Sequence, residues 1–204
     1  MPFRNSFRLT LVLFFVLTGT LLPAKAHAKT AKAGRAAAAR QTVTGTVVGI
    51  SGRLAGRSLP FRLVVNDYTS ADDADRLNTG LRSGQEELLS ALSKLDAGRV
   101  SIGNNVGVTA NAVFATPAAE GGMKLTVLFQ RNVNFFELRA GARSADYRFG
   151  YAEIYLDRRG RGEGTFIPAA KVKLEGNTWV VEDFGAFPAR LIGMRSSGTV
   201  SNAR

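Results

Sequence analysis

Tyr147, Phe149, Tyr151, Glu153 and Tyr155 occupy every second position of one stretch of this chain. In an extended strand, alternate side chains point to the same face. The five therefore form one row, aromatic except for a single carboxylate. Arg148, Gly150, Ala152, Ile154 and Leu156 line the opposite face. A flat aromatic row with one acid has the chemistry to stack a sugar ring or to grip an apolar ligand. The same residue types also suit the packed side of a sheet, with the tyrosine hydroxyls at its rim. Glu153 counts against a purely apolar core, because a lone carboxylate is costly to bury. These five are the candidate ligand-binding residues.

The other reactive groups are few. The chain of 204 residues holds one histidine, His27, and no cysteine. His27 lies in an N-terminal segment that reads as a cleavable leader, so the mature chain is expected to contain neither residue type. That excludes Ser-His-Asp and Cys-His nucleophilic catalysis. It also excludes zinc sites of the usual kind, His-ligated haem, copper and iron–sulfur centres, and disulfides. Carboxylate, Lys, Ser, Thr and Tyr chemistry remains, along with oxygen-ligated Ca²⁺ or Mg²⁺. No catalytic residue, metal ligand or cofactor is assigned.

Acidic and glycine-rich clusters have plainer uses. Asp72, Asp73 and Asp75 lack the spacing and the downstream Glu of a Ca²⁺ loop, and they suit the first turn of a helix. Glu182 and Asp183 are adjacent, so on a strand they point to opposite faces. They cannot be the facing carboxylate pair, ~5–9 Å apart, that cleaves glycosides. The glycines of residues 103–107 and 160–164 join no strand to a helix and carry no Lys-Ser/Thr, so they are read as turns. Arg131, Arg139, Arg143, Arg148, Arg158, Arg159 and Arg161 crowd one stretch. Solvated strand faces and hairpin tips account for them, since charged side chains also protect sheet edges.

The elements that position these groups follow from the hydrophobic pattern. Arg4 and Arg8, the apolar run 9–22, Pro23 and Ala26-His27-Ala28 make residues 1–28 a signal peptide. The run is too short to span a bilayer, which takes ~20 residues. Residues 29–41 form an Ala-rich leader with Lys29, Lys32, Arg35 and Arg40, expected to be disordered. Of the formal charge of +11, much lies in these two segments, and the body from residue 42 is of mixed charge. That body, 42–195, is expected to be a single β-rich domain, followed by a frayed tail over 196–204.

Within the body the dominant period is two. Strands are expected over residues 42–50 and 61–65, over one run from Val106 to Phe114, over 123–129, 135–139, 147–156, 166–174 and 179–183, and over 189–195. Pro168 marks an edge or a bulge. Gly176-Asn177 between apolar runs is a two-residue hairpin. Residues 71–97 break the pattern with a pair of short helices. Ser70 caps the first, which Gly80 closes. Ser83-Gly84-Gln85-Glu86 is a capping box for the second. Leu81, Leu88, Leu89, Leu92 and Leu95 form its stripe against the sheet, and Gly98 ends it. The class is α+β and β-dominated: an antiparallel sandwich or barrel-like meander with an inserted helical pair at about residues 71–97.

The functional expectation is an exported, non-enzymatic binding or interaction domain, periplasmic or extracellular. Its partner is a small apolar or sugar ligand or an envelope protein. No specific nucleic acid is implied, and contact with an anionic surface is at most peripheral, through the basic leader. Two alternatives belong to other classes: a carboxylate-dependent hydrolase acting on glycans, and a structural or assembly component of the cell envelope. The leader reading makes a direct prediction. Protein recovered from an exporting bacterial host should begin at Lys29 by intact mass, and a mass that includes Met1 refutes it.

Overall fold

The computed structural model describes residues 9–11, 40–49, 55–118, 121–131, 146–176, 178–184 and 188–198. The basic leader before Arg40, the strand expected over 135–139, Arg139, Arg143 and the tail beyond residue 198 lie outside the described residues. So does the segment read as a signal peptide, apart from residues 9–11.

Among the described residues, eleven strands and two helices follow in order: β1 (Leu9–Leu11), β2 (Gln41–Val48), β3 (Ser58–Val65), α1 (Ala71–Ser83), α2 (Gln85–Leu92), β4 (Gly98–Ile102), β5 (Val108–Ala110), β6 (Ala112–Pro117), β7 (Met123–Gln130), β8 (Phe149–Leu156), β9 (Arg161–Glu175), β10 (Thr178–Asp183) and β11 (Ala189–Ser197). One antiparallel sheet runs β5-β4-β3-β2-β11-β9-β8-β7-β6. Its two ends, β5 and β6, are consecutive in the chain and separated only by Asn111. The sheet therefore curls into a nearly closed barrel and is not a sandwich. The far end of β9 leaves the barrel path as a hairpin with β10, and β1 pairs with the other edge of β10.

Alternation sorts the side chains into two cores. Val43, Phe61, Leu63, Val100, Val127 and Ile154, with Phe166 and Leu191, fill the barrel interior. The outer face of β6–β10 is covered by the helices, where Leu77, Leu81, Leu88, Leu89 and Leu92 bury against Leu128, Phe149, Tyr151, Ile167 and Val172. Burying each leucine is worth roughly 1.5–3 kcal/mol. Trp179 adds a second tie: its Nε1–H donates to Asn78 Oδ1 of α1 at 2.6 Å, and its ring meets Phe114 edge-on.

Several expected boundaries move, each for a local reason. Ser70 caps α1, accepting from Asp73 N, but α1 continues through Gly80 to Ser83. A Cβ at Gly80 would come within 3.0 Å of Glu87 O, so this glycine lets α2 cross closely and does not end the helix. The capping box does not form. Ser83 Oγ bonds back to Thr79 O, and Gly84 caps α2 without a side-chain bond. Leu81 consequently belongs to α1. Gly98 does not end α2 either. That helix stops at Leu92 in a tightened turn, with Leu95 N donating to Leu92 O. Gly98 opens β4 at φ +154°, where a Cβ would collide with Val64 O.

The single strand expected from Val106 to Phe114 is two. Val106 is exposed, Ala110 and Val113 face the barrel interior, and Ala112 faces the helices, so the alternation reverses at Asn111. Asn111 is buried and makes both side-chain bonds: Nδ2–H donates to Leu95 O at 3.0 Å, and Oδ1 accepts from Gln130 N at 2.9 Å. Pro168 lies opposite a register shift between Phe149 and Tyr151 of β8, a bulge in a central strand. Gly162 and Gly164 lie within β9, while Gly160 is in the turn before it. The ends of the barrel also extend past the expected domain. Gln41 is buried in β2 and donates to Ser196 Oγ of β11, so neither residue is loose.

The Asn111 side chain bonds the Leu95 carbonyl and the Gln130 amide at the seam, both only partly buried. Asn111→Ala is expected to cost about 1–3 kcal/mol, since the groups left behind regain some bonding to water. The change is read from the urea midpoint. A shift below about 0.5 kcal/mol, typical of an inert surface site, would show that the seam is held elsewhere.

Candidate functional site

The five residues of the aromatic row share one face of β8 or its approach, as the alternation requires, but their environments differ along its length. Tyr147, just before β8, donates its hydroxyl to Glu182 Oε1 of β10 at 2.7 Å, and its ring meets Phe184 at 5.1 Å. Phe149 and Tyr151 are buried beneath the helices. Glu153 is buried at 4% exposure, beyond the cover of the leucines, and Tyr155 is 46% exposed. The row thus runs from the helix-covered core out to solvent, and no flat aromatic platform is exposed along it.

At the open end, one carboxylate collects three donors. Tyr151 donates to Glu153 Oε2 at 2.8 Å and Tyr155 donates to Glu153 Oε1 at 2.5 Å. Lys124 Nζ lies 3.5 Å from Oε2 and 5.9 Å from the Tyr155 ring centroid. Strand register explains the meeting. Lys124 is opposite Tyr155 and Thr126 is opposite Glu153 on the neighbouring β7, and directly opposed side chains lie about 4.5–5.5 Å apart. Thr126 is also buried and bonds Tyr151. The burial cost of Glu153 is offset by charge-assisted hydrogen bonds, which are about twice as strong as neutral ones.

These contacts hold both phenols in their protonated form. Burial, and next the bond to Glu153, push Tyr155 up to about 12. Burial, reinforced by the adjacent Glu153 charge, raises Tyr151 further. Neither phenol is a base or nucleophile near neutral pH, and the Glu153 oxygens are engaged. What the arrangement offers is a rigid aromatic edge with a cation beside it, set on sheet strands.

Lys124 and Thr126 were not singled out in the sequence. Their alternation in β7 is visible there, but only the β7–β8 register shows that they meet Glu153. Glu182 carries a second, smaller group: Lys173 Nζ reaches its Oε2 at 2.5 Å and, with Tyr147, holds its carboxyl below the ordinary range. The other clusters stay apart from the row. Asp73 accepts from Ser70 Oγ and pairs with Arg76 in the first turn of α1, and Asp72 lies in the same turn. Arg148 pairs with Glu86 of α2, and Arg131 Nε donates to Tyr147 O. Asp157 accepts from the amides of Arg159 and Arg161 in the β8–β9 turn. At the barrel seam, Lys94, Asp96, Arg99, Thr109, Asn111 and Gln130 line an open cleft of about 580 Å³. Among the described residues, no three His, Cys, Asp or Glu side chains come together as a metal group.

Comparison of the chain with protein-family models, with curated proteins and with solved structures finds no match.

The phenol geometry predicts an alkaline transition. Tyr155 holds its proton in the fold up to about 12, whereas in the unfolded chain it ionises near 10.0. Its contribution to stability is complete below pH about 10 and is lost as pH rises through about 12. Phenolate absorbance should resolve this late ionisation, and Glu153→Gln should bring it down. Ionisation of Tyr155 near 10 in the folded protein would mean that the Glu153 bond is not made.

Proposed function

We propose that this protein is an exported, non-enzymatic binding domain that meets its ligand at the open end of the β8 row. Tyr155 supplies the aromatic surface and Lys124 the neighbouring charge. The observation that carries the reading is the Tyr155–Glu153 bond beneath a half-exposed ring. The ring is held in one orientation before any ligand arrives, so little side-chain freedom is lost on binding. Stacking on a pyranose or another apolar face is the contact such a ring makes best. A purely structural tyrosine would not need a buried carboxylate and a cation arranged around it. The hydrolase alternative fits less well, because Tyr151, Tyr155 and Lys124 engage the carboxylate that would have to act as acid or base.

The test is an NMR titration of ¹⁵N-labelled protein with two soluble probes, chitohexaose and cellohexaose. Shifts centred on Tyr155 and Lys124 are expected with at least one. Tyr155→Ala should weaken that binding about tenfold, the equivalent of ~1.4 kcal/mol, and Tyr155→Phe, which keeps the ring but loses its bond to Glu153, should weaken it by a smaller factor. Shifts that avoid β8 altogether, or no shifts with either sugar, would remove the sugar-stacking reading. Cleavage of either probe, lost in Glu153→Gln, would instead establish the hydrolase.

A further inference from the structure

The barrel has a second outer face, away from the helices. Strands β2, β3, β4 and β11 contain no aspartate or glutamate and four arginines: Arg62, Arg99, Arg190 and Arg195. Each arginine alternates with buried neighbours, and all four are exposed. Strand register aligns them. Arg62 lies opposite Thr44, Thr44 opposite Arg195, and Arg195 opposite Arg161 of β9. One rung across four strands therefore reads Arg-Thr-Arg-Arg. Arg99 stands one rung away on β4, opposite Val64. Arg190 is 3.4 Å from Glu163, and Arg99 makes only long contacts to two loop carbonyls. Among the described residues, no partner is recorded for Arg62 or Arg195.

With adjacent strands ~4.8 Å apart, neighbouring backbone positions of these arginines stand about 5–10 Å apart on a floor of short threonines. Ile192, 39% exposed, projects from the same stretch of β11 between Arg190 and Arg195. In sequence, the basic residues before Arg40 lead into β2, a strand of this face. Arg40 is exposed and precedes the first residue of β2, and the sequence before it carries Lys29, Lys32 and Arg35 with no acid.

We propose that this face docks on an anionic phospholipid surface, with Arg62, Arg99, Arg161 and Arg195 against headgroup phosphates and Ile192 entering the headgroup layer. Charge complementarity over a broad pleated surface is the basis. A membrane is favoured over a nucleic acid because the outward positions of these strands hold Thr, Ser, Pro, Val, Ile and Arg but no aromatic ring to stack on bases. The face adjoins the open end of the β8 row, since Glu163 of β9 lies opposite Tyr155 and 3.4 Å from Arg190. Arg62 and Arg195, the residues changed below, belong to other strands, so the vesicle and sugar results are read separately.

The experiment is co-sedimentation of the protein recovered from an exporting host with phosphatidylcholine vesicles, with and without phosphatidylglycerol. The phosphatidylglycerol-dependent increment is the readout, since an uncleaved apolar leader would bind both kinds. The wild type is expected to bind the anionic vesicles and to be released by high salt. R62Q/R195Q should lower partitioning about twenty-fivefold, at about fivefold per arginine. R62K/R195K should restore it. R76Q/R82Q, which removes equal charge from α1, should change it less than about twofold, well under the effect of a single base at the surface. Equal losses in both Gln pairs would overturn the proposal in favour of net charge alone, and wild-type protein that ignores anionic vesicles would overturn it outright. Binding to a single-stranded oligonucleotide without binding to vesicles would assign the face to a soluble polyanion and end the membrane reading.

Discussion

Asn111 sits where a single peptide stretch serves both edges of one sheet. The strand before it completes the β2–β5 meander, and the strand after it begins the β6–β9 meander. An open sheet would leave two rows of backbone donors and acceptors exposed, inviting edge-to-edge association. Here the edges meet in the chain itself. The Asn111 amide bonds the carbonyl of Leu95 after α2 and the amide of Gln130 at the end of β7. The helical pair, the seam and the second meander are thus tied at one residue. Ala97 strengthens the junction by donating to Ala110 O. Bringing the two ends together nearly closes the interior around Val43, Leu63, Val127 and Leu191, and that burial is the main favourable term in the fold.

Closure also divides the outer surface. The helices lie over β6–β10, where outward positions carry Leu128, Phe149, Tyr151, Ile167 and Val172. Around the barrel, on β2, β3, β4 and β11, outward positions carry arginine and threonine. Glu153 occurs where the helical cover gives out. A carboxylate there can be shielded on one side by Tyr151 and remain linked to solvent through Tyr155 and Lys124. That boundary position explains how a buried acid is tolerated without a matching buried cation. The aromatic edge proposed to bind ligand and the basic face proposed to meet lipid both follow from where the helices stop.

Much of the architecture was legible in the chain. Period-two alternation located β2, β3 and β11, whose outer positions stay largely exposed or half-buried, and also β7 and β8, which are buried on both faces but alternate in residue type. The Gly176-Asn177 hairpin was readable from local turn chemistry, with Glu175 paired to Thr178 across it. The Ser70 cap and the leucine stripe marked the helices for the same reason: both are determined within a few residues of sequence. The row from Tyr147 to Tyr155 was visible as one face of a strand, although its five residues turned out to have unlike surroundings.

Sequence alone determined the period of each segment, the absence of cysteine, and the sidedness of β8. It could not distinguish barrel from sandwich, because that depends on whether two edges many residues apart come together, and the reversal at Asn111 that joins them leaves no periodic trace. Nor could it show why Gly80 and Gly98 are glycines, since the groups that crowd them, Glu87 O and Val64 O, come from other elements. The partners of Glu153 and the arginine rung were likewise decided by tertiary structure. Both are cross-strand relations, and cross-strand contacts depend on register, which a one-dimensional pattern does not encode.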